Sequence, residues 1–219
     1  MKTDKIHIYF MPGLAASSKI FEHIKLPEDK FERHYLEWLL PLSVKESIEN
    51  YAKRMAEFVV EENPVLVGVS FGGIVVQEMS KHLKTRKVII ISSVKSNTEF
   101  SKRLKILQQT KAYKLFPAKV ISNLEDFSKV AFGEFTKKRL ALYKKYLSVR
   151  DPNYLTWAID HVLNWQQTTP QQNIIHIHGK EDHIFPIKNI KSCITIEKGT
   201  HIMILTKAKS ISKIISDIF

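Results

Sequence analysis

At 219 residues, with 44% hydrophobic and 26% charged residues, the chain has the composition of a soluble globular protein. It can bury one substantial core and carry an inserted subdomain. Its single cysteine, Cys193, excludes an intramolecular disulfide, and no apolar run approaches the roughly 18 residues of a membrane helix.

The first apolar stretch, KIHIYF (5–10), is too short for a signal-peptide core and has no A-x-A-like cleavage site after it. It reads as a strand, and the cytoplasm is the expected compartment. Further strands are expected at HYLEWLL (34–40), VLVGV (65–69), KVIIIS (87–92), NIIHIHG (173–179) and CITIEK (193–198). Several are continuous apolar runs, as strands covered on both faces should be. Helical periodicity falls between them at 44–62, 74–84 and 202–218. Strands alternating with helices argue for a parallel α/β sheet.

One stretch breaks the alternation. Residues 97–172 contain no convincing strand, only helical patterns such as FTKKRLALYKKYLSV and PNYLTWAIDHVLNW. That is too long for an ordinary connection, so a helical insertion over one end of the sheet is expected. Its aromatics Phe116, Phe127, Phe132, Phe135, Tyr143, Tyr146, Trp157 and Trp165 should form mostly the insertion's own core.

The formal net charge of +12 (34 Lys/Arg against 22 Asp/Glu) gathers in the same region, where residues 100–150 hold 13 Lys/Arg against 3 Asp/Glu. A nucleic-acid or anionic-lipid anchor is one reading of such a bias. Lysine greatly outnumbers arginine, however, and arginine should lead at bidentate phosphate sites. A solvated helical face is the preferred reading, with no nucleic-acid partner expected.

Three of the seven glycines crowd around one serine in GVSFGG, between the strand at 65–69 and the helix that follows. This is G-x-S-x-G in its strand–turn–helix context. A tight turn pushes the Ser70 hydroxyl into the open, and side chains at Gly68 and Gly72 would collide with neighbouring backbone. The helix N-terminus favours negative charge developing there. A serine nucleophile needs a base, and the base an orienting acid.

Of nine histidines, His201 in EKGTHIMIL follows the last strand at a turn, on the carboxyl edge that also carries Ser70. His82 should be exposed on a helix, and packing explains His7, His176 and His178 within strands. Asp182 in HGKEDHIFP follows another strand end on that edge, while its neighbour Glu181 should point elsewhere. The oxyanion donors would be the backbone N–H groups of Phe71 and of Leu14 in FMPGLAAS.

With these motifs in order, the chain resembles the α/β-hydrolases over nearly its full length. The resemblance implies a three-layer α/β-hydrolase fold, a mostly parallel sheet of about six strands and a helical cap insertion. Residues 1–96 and 173–219 would be the core and 97–172 the cap. Pro12-Gly13 stands where the family often has His-Gly, so any role of that histidine side chain is lost here. Serine at the nucleophile position speaks against haloalkane-dehalogenase chemistry.

The expected function is hydrolysis of a small, uncharged carboxylic ester or related acyl compound through an acyl-enzyme on Ser70; thioester hydrolysis, C–C bond hydrolysis and acyl transfer would use the same residues. Asp182 and His201 complete the triad, and no metal or cofactor is needed. A small-molecule acyl substrate is the expected partner. A non-catalytic ligand-binding or interaction protein on the same fold is the alternative.

Overall fold

The computed structural model describes residues 5–115 and 145–219. Six strands form one sheet: β1 (Ile6–Met11), β2 (Phe31–Tyr35), β3 (Val65–Val69), β4 (Lys87–Ile91), β5 (Ile174–Gly179) and β6 (Ile194–Ile196). Their order is β2-β1-β3-β4-β5-β6, and every neighbouring pair is parallel. All five residues of β3 are buried, which requires cover on both faces of the sheet.

Among the described residues the helices are α1 (Ile48–Ala56), α2 (Phe71–Met79), α3 (Lys102–Thr110), α4 (Pro152–Leu163), α5 (Met203–Thr206) and α6 (Ala208–Asp217). No helix among them is long and apolar enough to cross a membrane. Local signals set their starts. Ser47 and Asp151 accept hydrogen bonds from the backbone N–H of Asn50 and Tyr154, satisfying first-turn donors of α1 and α4. Pro152 occupies the first turn of α4, where a missing N–H costs nothing. Every residue of α2 is buried, so this helix is the centre of the molecule.

Several boundaries differ from the sequence reading. β2 covers 31–35 and not 34–40. The apolar run LEWLL looked like the better strand. The true strand is an edge, and the alternating FERHY buries Phe31 while exposing Glu32 and Tyr35. After Leu36, whose N–H donates to the Phe10 carbonyl at 2.9 Å, the chain leaves the sheet. The expected helix at 44–62 is regular only over 48–56, and the one expected at 74–84 spans 71–79, starting directly after Ser70. The last helix breaks at Lys207 into α5 and α6.

Phe116, Phe127, Phe132, Phe135 and Tyr143 lie outside the described residues. Tyr146, Trp157 and Trp165 are described, and each reaches elements outside residues 97–172. Trp157 donates its indole N–H to the Glu46 carbonyl at 2.8 Å and places its ring 4.2 Å from that of Tyr51 on α1. Trp165 donates to the Glu78 carboxylate at 2.8 Å, and Tyr146 to that of Glu22. A buried indole needs a partner, and here the core supplies it. Through these three side chains the described stretch 145–165 is fastened to Glu22, Glu46, α1 and α2.

The strand order places the site. From β1 the chain crosses one way to β2 and then returns to the other side for β3. The carboxyl ends of β1 and β3 therefore flank a topological switch point, where open parallel sheets bind ligands. Ser70 follows β3, and Gly13 and Leu14 follow β1.

Candidate active site

Ser70 occupies a backbone conformation that L-residues avoid, with φ 52° and ψ −119°. Holding it there requires surrounding structure that over-determines the turn. Its N–H donates to the Ile91 carbonyl at 2.9 Å. Its own carbonyl accepts from the Gly73 N–H at 2.9 Å and from the Ser93 hydroxyl at 2.7 Å. The glycines solve a close-approach problem. A Cβ on Gly68 would stand 2.3 Å from the Gly72 carbonyl oxygen, and one on Gly72 would stand 2.2 Å from that of Pro12. Both obstacles are backbone and cannot move aside. The pattern G-x-S-x-G is thus imposed by the packing of β3, α2 and the β1 loop.

Ser70 Oγ lies 2.9 Å from His201 Nε2, and His201 Nδ1 lies 2.9 Å from Asp182 Oδ2. The three residues follow β3, β6 and β5 in turn, and the fold joins them across the carboxyl edge. A carboxylate only accepts, so His201 carries its proton on Nδ1 and presents an unprotonated Nε2 to the serine hydroxyl. The other oxygen, Asp182 Oδ1, accepts the N–H groups of Ile184 at 2.8 Å and Phe185 at 2.9 Å. Asp182 is buried, 2% exposed. Burial pushes its carboxyl pKa up, but the neighbouring His201 and the hydrogen bonds from His201 and Phe185 outweigh this and hold it below the ordinary value. Glu181 is exposed and engages through its backbone, donating to the Gly199 carbonyl at 2.8 Å.

The β1 loop lies against the serine. A Cβ on Gly13 would stand 3.5 Å from Ser70 Cβ. The Gly13 carbonyl accepts from the Ala16 N–H at 3.0 Å and from the Trp38 indole N–H at 3.1 Å. Among the turn, loop and cap bonds of the described residues, neither the Leu14 nor the Phe71 N–H is a donor. Trp38 also stacks on Phe71, with centroids 5.2 Å apart and planes at 10°. It therefore touches both stretches from which the sequence reading drew oxyanion donors. That reading placed Trp38 inside a strand, and no local motif marks it as a neighbour of the site.

No protein-family model matches the sequence, and no curated protein does. Solved structures do match. A candidate lipase from Acinetobacter baumannii superposes with a TM-score of 0.71 at 14% identity, over 99% of this chain and 84% of that one. A thermophilic esterase from Thermogutta terrifontis gives 0.67 at 11% identity, over 97% and 88%. An α/β-hydrolase fold protein from Burkholderia ambifaria gives 0.64 at 13% identity, over 98% and 91%. The chain has the α/β-hydrolase fold.

Within this α/β-hydrolase fold two further features hold Asp182 beside His201, and the sequence reading marked neither. Gly179 and Gly199 face one another, and a Cβ on Gly179 would stand 2.2 Å from the Gly199 carbonyl oxygen. Their contact lets the loops after β5 and β6 approach closely enough for Asp182 to reach His201. Beneath the acid loop, His178 donates from Nε2 to the Phe185 carbonyl at 2.8 Å. Its Nδ1 must then accept, and His176 Nε2 stands 2.9 Å away as the donor. Burial favours the neutral form of both rings, and in that form each carries its proton on Nε2.

Burial, reinforced by the nearby His178 and Lys95, pushes the His176 pKa down to about 2. Burial also lowers that of His178, against the opposing pull of Asp182. Both folded values lie below the unfolded one, so the stability they support is complete above pH ~6.5 and declines as the unfolded chain takes up protons. His176 should cost roughly 1 kcal/mol per pH unit below that point, and His178 adds a loss in the same direction. The urea midpoint should accordingly fall clearly between pH 7.5 and pH 5. Equal midpoints would mean that these histidines titrate freely in the fold.

Proposed function

We propose that this protein is a serine hydrolase of small, uncharged carboxylic esters or related acyl compounds, working through an acyl-enzyme on Ser70. The observation that carries the reading is the pair of 2.9 Å contacts linking Ser70 Oγ, His201 and Asp182. His201 Nε2 takes the hydroxyl proton as Oγ attacks the substrate carbonyl. Asp182, fixed by two backbone donors, keeps His201 in the productive tautomer and stabilises the imidazolium. The oxyanion is received by the N–H groups of Leu14 and Phe71, at the head of α2, where the helix favours negative charge. His201 then returns its proton to the leaving alcohol, and the same base activates the water that releases the acid. No step calls for a metal or cofactor.

The charge distribution supports an uncharged substrate. In the basic segment the described cations Lys102, Arg103, Lys105, Lys111, Lys114, Lys145 and Arg150 are all exposed. None of them takes part in the Ser70–His201–Asp182 contacts. Residues 102–115 and 145–163, inside the proposed 97–172 cap, would help enclose the acyl group. The similar structures include a candidate lipase and an esterase, which agrees with ester chemistry.

A fluorophosphonate probe followed by peptide mapping tests the proposal, together with a panel of short neutral esters. Labelling at Ser70 and ester turnover are expected. A non-catalytic binding protein would give neither.

Trp38 gives the proposal a finer test. In a trans peptide the carbonyl and the following N–H point in opposite directions. The Trp38 indole, by holding the Gly13 carbonyl, therefore aims the Leu14 N–H. Direct loss of one oxyanion donor costs about 10²–10³ in kcat, and loss of its support should cost less. Trp38→Phe, which keeps the stack on Phe71, should lower kcat roughly 10-fold with KM little changed, since the Leu14 bond forms fully only in the transition state. A rise in KM at constant kcat would mean that Trp38 serves substrate binding instead.

A further inference from the structure

Four side chains share one face of β1 and the edge strand β2. The register pairs His7 with Glu32 and Tyr9 with His34, and alternate residues of a strand point the same way. His7 Nδ1 and His34 Nε2 stand 3.0 Å apart. The Glu32 carboxylate joins them, and the three ligand atoms all lie within 4.8 Å of one another. The other ring nitrogen, His7 Nε2, stands 3.8 Å from Glu61 Oε2. The Tyr9 ring lies flat against His34, with centroids 4.4 Å apart and planes at 14°.

We propose that His7, His34 and Glu32 form a binding site for a divalent transition-metal cation of the zinc type. Two imidazole nitrogens at this separation share at most one proton between them. A tetrahedral zinc with Zn–N bonds of about 2.05 Å places its two nitrogens about 3.3 Å apart. A cation could therefore replace the shared proton after a movement of about 0.3 Å. Two imidazoles and one carboxylate suit zinc and its neighbours better than calcium or magnesium, which prefer oxygen ligands. Water would complete the shell.

The supports around the ligands fit as well. Glu61 faces the nitrogen of His7 that does not ligate, the place where an orienting carboxylate raises ligand basicity. Tyr9 fixes the plane of His34, and its hydroxyl is itself held by the Val60 N–H at 3.3 Å. Tyr9 and His34 also line an apolar cleft of about 460 Å³ with Trp38, Met55 and Phe58, while Glu32 on the edge strand is exposed.

The site is separate from the ester chemistry. His7 lies four residues before Met11, or about 13 Å along β1 from the carboxyl end. The ion would instead pin β2, whose only strand partner among the described residues is β1. It would also tie the turn after α1 to the same edge.

Zn²⁺ titrated calorimetrically into the metal-stripped full chain tests the proposal. The expected result is one tightly bound ion per chain and a rise in thermal midpoint. His34→Gln and Glu32→Gln should each weaken that binding at least about 10-fold while ester turnover is kept. Glu32 is exposed, so its variant folds even if the His34 variant does not. The proposal is overturned if the wild type takes up no ion at up to about 1 mM Zn²⁺. It is equally overturned if either variant binds as the wild type does, which would locate the ion elsewhere, for instance on Asp182 and His201.

Discussion

Ser70→Ala should yield a folded protein that has lost ester hydrolysis by roughly 10³-fold or more, because the acyl-enzyme cannot form. The substitution removes one side-chain contact, the 2.9 Å bond to His201, and leaves every bond of the turn's backbone in place. Stability should therefore change by no more than about 1 kcal/mol. Alanine inherits the same φ of 52° and with it the same strain. Ser70→Gly relieves that strain, which is worth on the order of 1–3 kcal/mol, and should be the more stable of the two inactive variants. Ester kinetics, fluorophosphonate labelling and urea denaturation on the three proteins provide the check. Wild-type turnover in Ser70→Ala would remove the nucleophile assignment. Equal stability of the alanine and glycine variants would show that the turn is not strained.

What the sequence made legible follows from what kind of constraint each feature is. VLVGV and GVSFGG carry their structure locally. A fully buried strand must be apolar throughout, and a turn whose flanks would put a Cβ 2.2–2.3 Å from backbone oxygen admits only glycine. The meeting of Asp182 and His201 was readable because each follows a strand, and parallel strands deliver their ends to one edge. Trp38 was not readable. Its role depends on where the chain leaves β2, and the edge strand's polar alternation hid that point behind the more apolar LEWLL. The facing pair Gly179 and Gly199 also escaped notice, since each glycine is explained only by the other, across two loops. The insertion's aromatics look the same in sequence whether they pack among themselves or, as Trp157 does, donate to a carbonyl more than a hundred residues earlier.

Asp182→Asn should be the most damaging conservative change in the molecule, and worse for turnover than Asp182→Ala. The reason lies in the two backbone donors. Ile184 and Phe185 point their N–H groups at Oδ1, at 2.8 and 2.9 Å, so an asparagine must place its carbonyl oxygen there. Its NH₂ then faces His201 Nδ1, where Oδ2 stood at 2.9 Å. A donor at that position forces Nδ1 to be the acceptor and moves the ring proton to Nε2. The imidazole would then donate to Ser70 and could not take its proton. Losses of about 10⁴ in kcat accompany a wrong tautomer of this kind in serine hydrolase triads. Alanine imposes no tautomer, so a fraction of its His201 rings keep Nε2 free to act as base. Its penalty falls instead on stability, because the half-buried Ile184 and buried Phe185 N–H groups lose their acceptor, at about 1–3 kcal/mol for the buried one. Turnover and urea midpoints should thus rank the two variants in opposite orders. If asparagine proves the more active, the orientation of Asp182 by its backbone donors is not what sets the His201 tautomer.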